Sequence, residues 1–150
     1  IMCLAKAMSA GHAGMGAVIT TEEIAEKVEK EIGLYSSYGW HPISVDAAIA
    51  NINYWKEHKD DLFQNIEKAA GIFKEELPKL EFKNDADIRI IGLAVGIDVK
   101  DEEYAEELMD KCLKEGLLMN TEGSSLVFFP ALNISEATVK KGIGILSQCI

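Results

Sequence analysis

Apolar positions fall in short runs near the start of the chain, at helical spacing through its middle, and at strand spacing from Asp87. Residues 1–5 and 15–20 are short apolar runs separated by a loop of small residues at 9–14. The first run predicts a short buried strand. The second, rich in β-branched residues, predicts a strand of a buried parallel sheet. Thr21 then predicts a helix cap, with Glu22 and Glu23 in the first turn, where the helix dipole favours acids. That helix is expected to run to about Ile32 and to stop at Gly33.

A loop rich in Tyr, Ser, Gly and Trp follows at 34–42. Ser44 is expected to begin a helix with Val45, Ala48, Ile49 and Ile52 on its apolar side. Leu62, Ile66, Ala69, Ala70, Phe73 and Leu77 carry a second helical stripe. The two stripes fit either separate helices or one long helix bent near Lys59 and Asp60, ended by Pro78.

From Asp87 the period shortens. Residues 88–99 predict two strand segments hinged at Gly92. Asp101 starts a helix with Tyr104, Leu108 and Cys112 on one side, stopped by Gly116. Residues 117–119 and 126–129 predict short strands. Ser135 and Glu136 open a last helix through Val139 and Ile143 to Cys149. The order implies part of an α/β sheet followed by a small α+β layer, with the break inside residues 46–78.

Composition narrows the function classes. The 150 residues carry a net charge of -10, which argues against nucleic acid and against an anionic membrane surface. No run is apolar for long enough to span a bilayer, and no apolar signal segment precedes Lys6. Cys3, Cys112 and Cys149 are odd in number and lack metal spacing, so a reducing compartment, the cytoplasm, is expected, with no disulfide framework. His12, His41 and His58 are scattered, which argues against a zinc site. The first residues, Ile1-Met2-Cys3-Leu4, read like the middle of a strand, so a piece of a longer protein or one half of a split one is expected.

The candidate chemistry centres on Lys6, in Leu4-Ala5-Lys6-Ala7-Met8 ahead of a glycine-rich stretch. An amine at the end of a buried strand loses solvation. That favours its neutral form, which can attack a carbonyl to form a Schiff base. A lone lysine near glycines is most often a solvated loop side chain, and the rest of the chain changes that balance.

Four blocks, in order, carry a resemblance. Leu4-Ala5-Lys6-Ala7-Met8 is followed ten residues after the lysine by Gly16-Ala17-Val18. Ser36-Ser37-Tyr38-Gly39-Trp40-His41-Pro42 precedes a helix containing Ala47, Ala48 and Ala50. The third block is Arg89-Ile90-Ile91-Gly92-Leu93-Ala94-Val95-Gly96-Ile97, and the fourth is Phe129-Pro130-Ala131-Leu132-Asn133-Ile134-Ser135-Glu136. Together they resemble the carboxyl-terminal third or so of the class III (ω-amino acid) aminotransferases, of the fold-type I pyridoxal phosphate superfamily.

The resemblance implies the end of a large α/β domain at residues 1–50 and a small α+β domain at 51–150. It implies pyridoxal 5'-phosphate as cofactor, held by Lys6 through a Schiff base, with Lys6 also moving the proton between two carbons. Ser37 stands at the threonine position that binds the cofactor phosphate from the neighbouring subunit. The implied partners are an amino donor, a keto acid acceptor, a second copy in a homodimer, and the absent upstream portion or a complementary chain. Transamination of an amine or ω-amino acid is then expected of the intact protein, and none of the 150 residues alone. The alternatives are a racemase or aminomutase of the same family, or a non-catalytic α+β assembly module. Three departures stand out. Residues 116–129 contain no arginine, where relatives often clamp a carboxylate, and Arg89, the chain's one arginine, suits a structural ion pair or an exposed strand face. Pro130-Ala131 and Gly14 also replace family prolines.

Overall fold

The computed structural model describes residues 1–28, 36–37 and 39–150. They form two compact units, Ile1–Lys59 and Asp60–Ile150.

In the first unit, β1 (Met2–Leu4) and β2 (Ala17–Ile19) pair antiparallel, with Cys3 opposite Val18. The expectation of buried strands, the second in a parallel sheet, is corrected here. Every residue of β1 is exposed, and so are Val18 and Ile19. The chain between the two strands turns through Lys6–Ser9 and returns, so β2 runs back alongside β1. Among the described residues of the unit, no further strand extends this two-stranded ribbon. The helix after Thr21 is also shorter than expected. α1 covers Glu22–Ala25, and the chain then tightens, Lys27 N–H donating to Ile24 O at 3.1 Å and Val28 N–H to Ala25 O at 3.2 Å. The expected stop at Ile32 and Gly33 lies outside the described residues.

The two apolar stripes of the middle region belong to one continuous helix, α2 (Pro42–Glu76), 35 residues long. It begins two residues before Ser44 because proline suits the first helical position, its φ preset and its missing N–H not needed there. It ends in a 3-10 turn, Leu77–Lys79, that contains Pro78. The division between the units falls within α2. On the first unit's side, Ser44 and Ala48 are buried; on the second unit's side, Ala69, Ala70 and Phe73 are buried.

The second unit is a four-stranded antiparallel sheet in the order β3-β4-β6-β5, made of β3 (Asp87–Ile91), β4 (Ala94–Asp98), β5 (Asn120–Glu122) and β6 (Ser125–Phe128). The hinge at Gly92 is a tight hairpin, with Ile91 paired to Ala94 and Gly92 at a φ of 57° that costs glycine nothing. α3 (Glu102–Lys114) and α4 (Glu136–Cys149) pack together, each opened by the expected cap. Asp101 accepts from Tyr104 N–H at 3.1 Å, and Ser135 Oγ accepts from Thr138 N–H at 3.1 Å. Tyr104, Leu108 and Cys112 are buried as their spacing predicts, and so are Val139, Ile143 and Leu146. Val95, Ile97 and Leu126 complete this core from the sheet. Full burial of each of Ile97, Leu108 and Leu126 contributes roughly 1.5–3 kcal/mol.

The strand expected at 117–119 lies instead at Asn120–Glu122. Leu117 and Met119 pack into the core rather than into a ladder. The hydrogen-bonded hairpin forms around Gly123, at a φ of 56°, which places polar residues opposite β6.

Candidate active site

Lys6 opens a 3-10 turn, Lys6–Ser9, directly after β1. The turn is closed by Met8 N–H donating to Ala5 O at 3.2 Å and Ala10 N–H donating to Ala7 O at 3.0 Å. Lys6 itself sits at a φ of 52°, Ala10 at 51° and Gly11 at 78°. For a residue with a Cβ, this left-handed backbone costs about 1–2 kcal/mol. Such conformations persist where the surroundings hold them and tend to gather at working sites.

Two side chains hold this turn. Ser9 is fully buried and its hydroxyl donates to Ala13 O, bracing the loop from inside. Asn51, on the first-unit half of α2, donates its side-chain amide to Ala7 O at 3.0 Å and to Met8 O at 3.1 Å. Both carbonyls directly follow Lys6. Gly16 lies close to β1, where an added Cβ would stand 3.4 Å from Leu4 O. The glycine of the lysine loop thus allows the two backbones to approach.

The Lys6 side chain is exposed. This differs from the expectation of an amine shielded at the end of a buried strand: among the described residues no layer covers the two-stranded ribbon. Among the described residues, Lys6 makes no ion pair, so its amine is open to a carbonyl.

Ser37 is exposed in the turn that leads into α2. The turn is closed by Gly39 N–H donating to Ser36 O at 3.0 Å, and a Cβ on Gly39 would lie 3.2 Å from that oxygen. Trp40 follows in the left-handed region, at a φ of 59°, and is 91% exposed. Tyr38 lies outside the described residues. Lys6 and Ser37 belong to the same compact unit, and among the described residues no hydrogen bond joins them.

In the second unit, Arg89 is exposed on β3 and pairs with Asp87 at 3.4 Å, as its strand context suggested. Lys111 is exposed but not solely solvated: it pairs with Glu107 at 2.9 Å and donates to Cys149 O at 3.4 Å. Lys114 is exposed. An apolar cavity of about 360 Å³ is bounded by Phe129 and Pro130 of the fourth block, by Leu117 and Met119, and by one side of α4. No titratable side chain lines it, so it offers shape and apolar surface but no acid, base or nucleophile. Among the described residues, no three His, Cys, Asp or Glu side chains gather as a metal site, and no helix is long and apolar enough to cross a membrane.

The lysine turn, the turn before α2, the Gly92 hairpin and the segment after β6 are the four blocks in their folded form. The family model for aminotransferase class-III matches residues 1–150. The chain belongs to the class III aminotransferases. It is 33% identical to the acetylornithine aminotransferase of Caldanaerobacter subterraneus subsp. tengcongensis, over all of this chain and 37% of that protein. It is 30% identical to the adenosylmethionine-8-amino-7-oxononanoate aminotransferase of Methanocaldococcus jannaschii, over 93% of this chain and 34% of that protein. Among solved structures, the acetylornithine aminotransferase of Elizabethkingia anophelis superposes with a TM-score of 0.84 at 26% identity, covering 99% of this chain and 37% of that one. This class III chain therefore spans a little over a third of the length of these relatives. Its mixed helix and sheet content is the corresponding part of their pyridoxal phosphate-dependent fold.

Asn51 and Ser9 are the residues that sequence reasoning missed. The Asn51 bonds join segments whose pairing no local pattern announces, whereas the Ser9 bond is local, to a carbonyl four residues on in the same loop. A signal did exist for Asn51: it is a polar residue within an apolar, alanine-rich stretch of helix.

Proposed function

We propose that this class III chain supplies the cofactor-holding lysine, Lys6, and a phosphate contact, Ser37, to a pyridoxal phosphate-dependent aminotransferase. The observation that carries the reading is the Lys6 turn. A lysine whose exposed amine has no ion pair among the described residues stands in a backbone conformation that is costly for it and is held from two sides. The residues suit the group: a carbonyl-bearing cofactor needs an open amine, and its phosphate needs hydroxyl or N–H donors.

When bound, pyridoxal phosphate supplies an electron sink that acidifies the carbon–hydrogen bond beside the donor's nitrogen. Lys6 holds the cofactor through Nζ. When not engaged in holding the group, Nζ would be placed to take a proton from one carbon and return it to another. One flexible side chain can serve both positions because its four-carbon stem swings about a fixed Cα. Ser37 would donate its hydroxyl to the phosphate of the neighbouring subunit's cofactor. That role needs no contact with Lys6 of its own chain.

The whole protein is then a homodimer that passes an amino group from a donor to a keto acid, with residues 1–50 finishing the large domain and 51–150 forming the small one. Between Gly116 and Phe129 no arginine offers a forked grip on a carboxylate. The donor is accordingly an amine, an amino sugar, or an amino acid whose carboxylate is bound elsewhere. In the whole natural protein, Lys6→Ala is expected to abolish transamination and leave the circular dichroism spectrum unchanged. Normal turnover by that variant would overturn the proposal. A strict need for the donor's α-carboxylate, traced to residues 116–129, would overturn the donor assignment.

A further inference from the structure

We infer that Asn51 is a positioning residue for Lys6. This rests on the reading of Lys6 as the cofactor lysine. The geometry is specific. The Asn51 amide lies within 3.0 Å of Ala7 O and 3.1 Å of Met8 O, from an element 43 or 44 residues away in sequence. Two acceptors on one side leave no choice about the amide's orientation: the NH2 must face the turn, because the carbonyl end would meet two like oxygens. Asn51 is half-buried within α2, so its side chain starts from a regular, hydrogen-bonded helix and can hold two loop carbonyls in fixed positions.

The consequence falls on Lys6. The carbonyls that Asn51 grips belong to the two residues after Lys6, so the grip anchors the turn one peptide unit beyond the left-handed Lys6 backbone and through that unit limits where the Lys6 Cα–Cβ bond can point. Ser9 braces the same turn from its far end, toward Ala13, and does not reach the carbonyls of Ala7 and Met8. Without the Asn51 grip, the turn can relax toward ordinary negative φ values and swing the amine away from its working direction. The chain reuses this device in its second unit. There Asn65 donates to Leu132 O at 2.8 Å and Ile134 O at 3.0 Å, pinning the segment after β6.

Asn51→Asp keeps the shape and removes both donors, setting a carboxylate oxygen against the two carbonyls. Asn51→Gln keeps the donors on a longer stem. If the aspartate variant folds poorly, Asn51→Ala removes the donors without adding charge. In the whole natural protein, three quantities are measured for wild type and variants: amide hydrogen exchange over residues 7–12, the fraction of Lys6 trapped with pyridoxal phosphate by borohydride, and kcat separately from KM. The expected result for Asn51→Asp is exchange faster by at least about tenfold, slower and less complete trapping at Lys6, and a fall in kcat of about tenfold or more with KM for the donor little changed. Asn51→Gln is expected to recover much of each. Wild-type exchange and trapping in Asn51→Asp would overturn the positioning role while leaving Lys6 as the cofactor lysine. Failure to trap cofactor at Lys6 in the wild type would instead overturn the reading beneath it.

Discussion

Replacing Lys6 by glycine is expected to make the turn more stable, and replacing it by alanine is not. The two substitutions separate backbone strain from side-chain loss. The Lys6 side chain is exposed and unpaired among the described residues, so removing it beyond Cβ forfeits little. Lys6→Ala retains a Cβ at a φ of 52° and keeps the strain of about 1–2 kcal/mol. Lys6→Gly removes that strain but gives the unfolded chain more freedom, an opposing cost of roughly 0.5–1 kcal/mol. The difference favours glycine by about 0.5–1 kcal/mol. The amides of Met8 and Ala10, which close the turn on Ala5 O and Ala7 O, report its local opening. Their exchange in Lys6→Gly is expected to be about two- to fivefold slower than in Lys6→Ala, since a factor of ten corresponds to about 1.4 kcal/mol. If exchange is instead faster in Lys6→Gly, the ordinary penalty for glycine dominates. Lys6 would then not be held in a strained conformation, and the argument from strain to function would fail.

Ser37→Ala is expected to weaken cofactor retention by about 1.5–3 kcal/mol, the worth of a hydrogen bond to a charged group, read as a raised dissociation constant in equilibrium dialysis. Unchanged retention would remove Ser37 from the site. Cys3 is exposed and is expected to react with a thiol reagent in the native protein, while Cys112 and Cys149 stay unmodified until it unfolds. Burial first, and then a hydrogen bond with Cys149, push the Cys112 thiol up to about 12, far from its reactive thiolate form. In the second unit, Asp98 accepts from Lys100 Nζ at 2.7 Å, Ser124 Oγ at 2.7 Å and Lys100 N–H at 2.9 Å, with the Lys100 side chain the largest influence. Its carboxyl is held well below the usual carboxylate range, so its contribution is present above about pH 4 and is lost as pH falls toward the folded value. Asp98→Asn is therefore expected to lower the melting temperature at neutral pH, with the gap closing in acid. A gap that is constant with pH would contradict this.

The second unit was largely legible because its signals are local. Alternation at Ile88, Ile90, Val95 and Ile97 fixes two strand faces, Gly92 fixes the hairpin, and Asp101 and Ser135 announce their helices. β5 was misplaced for a physical reason: the apolar residues at Leu117 and Met119 go to the core, while the ladder is formed by polar Asn120, Thr121 and Glu122. In the first unit, the apolar runs at 1–5 and 15–20 announce strands, but not which way they pair or what covers them. A buried parallel strand and an exposed ribbon can share one composition. The motif order singles out Lys6 as the candidate lysine. Its left-handed backbone was not, because lysine carries no local preference for it and the conformation depends on Asn51, far away in sequence.

Whether Lys6 Nζ holds the cofactor is decided by borohydride reduction of the natural protein loaded with pyridoxal phosphate. Reduction fixes the cofactor on whichever amine holds it, and peptide mass analysis locates that amine. One modified residue is expected, Lys6, with the visible absorbance of the bound cofactor lost as the modification appears. Modification of another lysine with Lys6 left bare, or no stable modification at all, would contradict that role for Lys6.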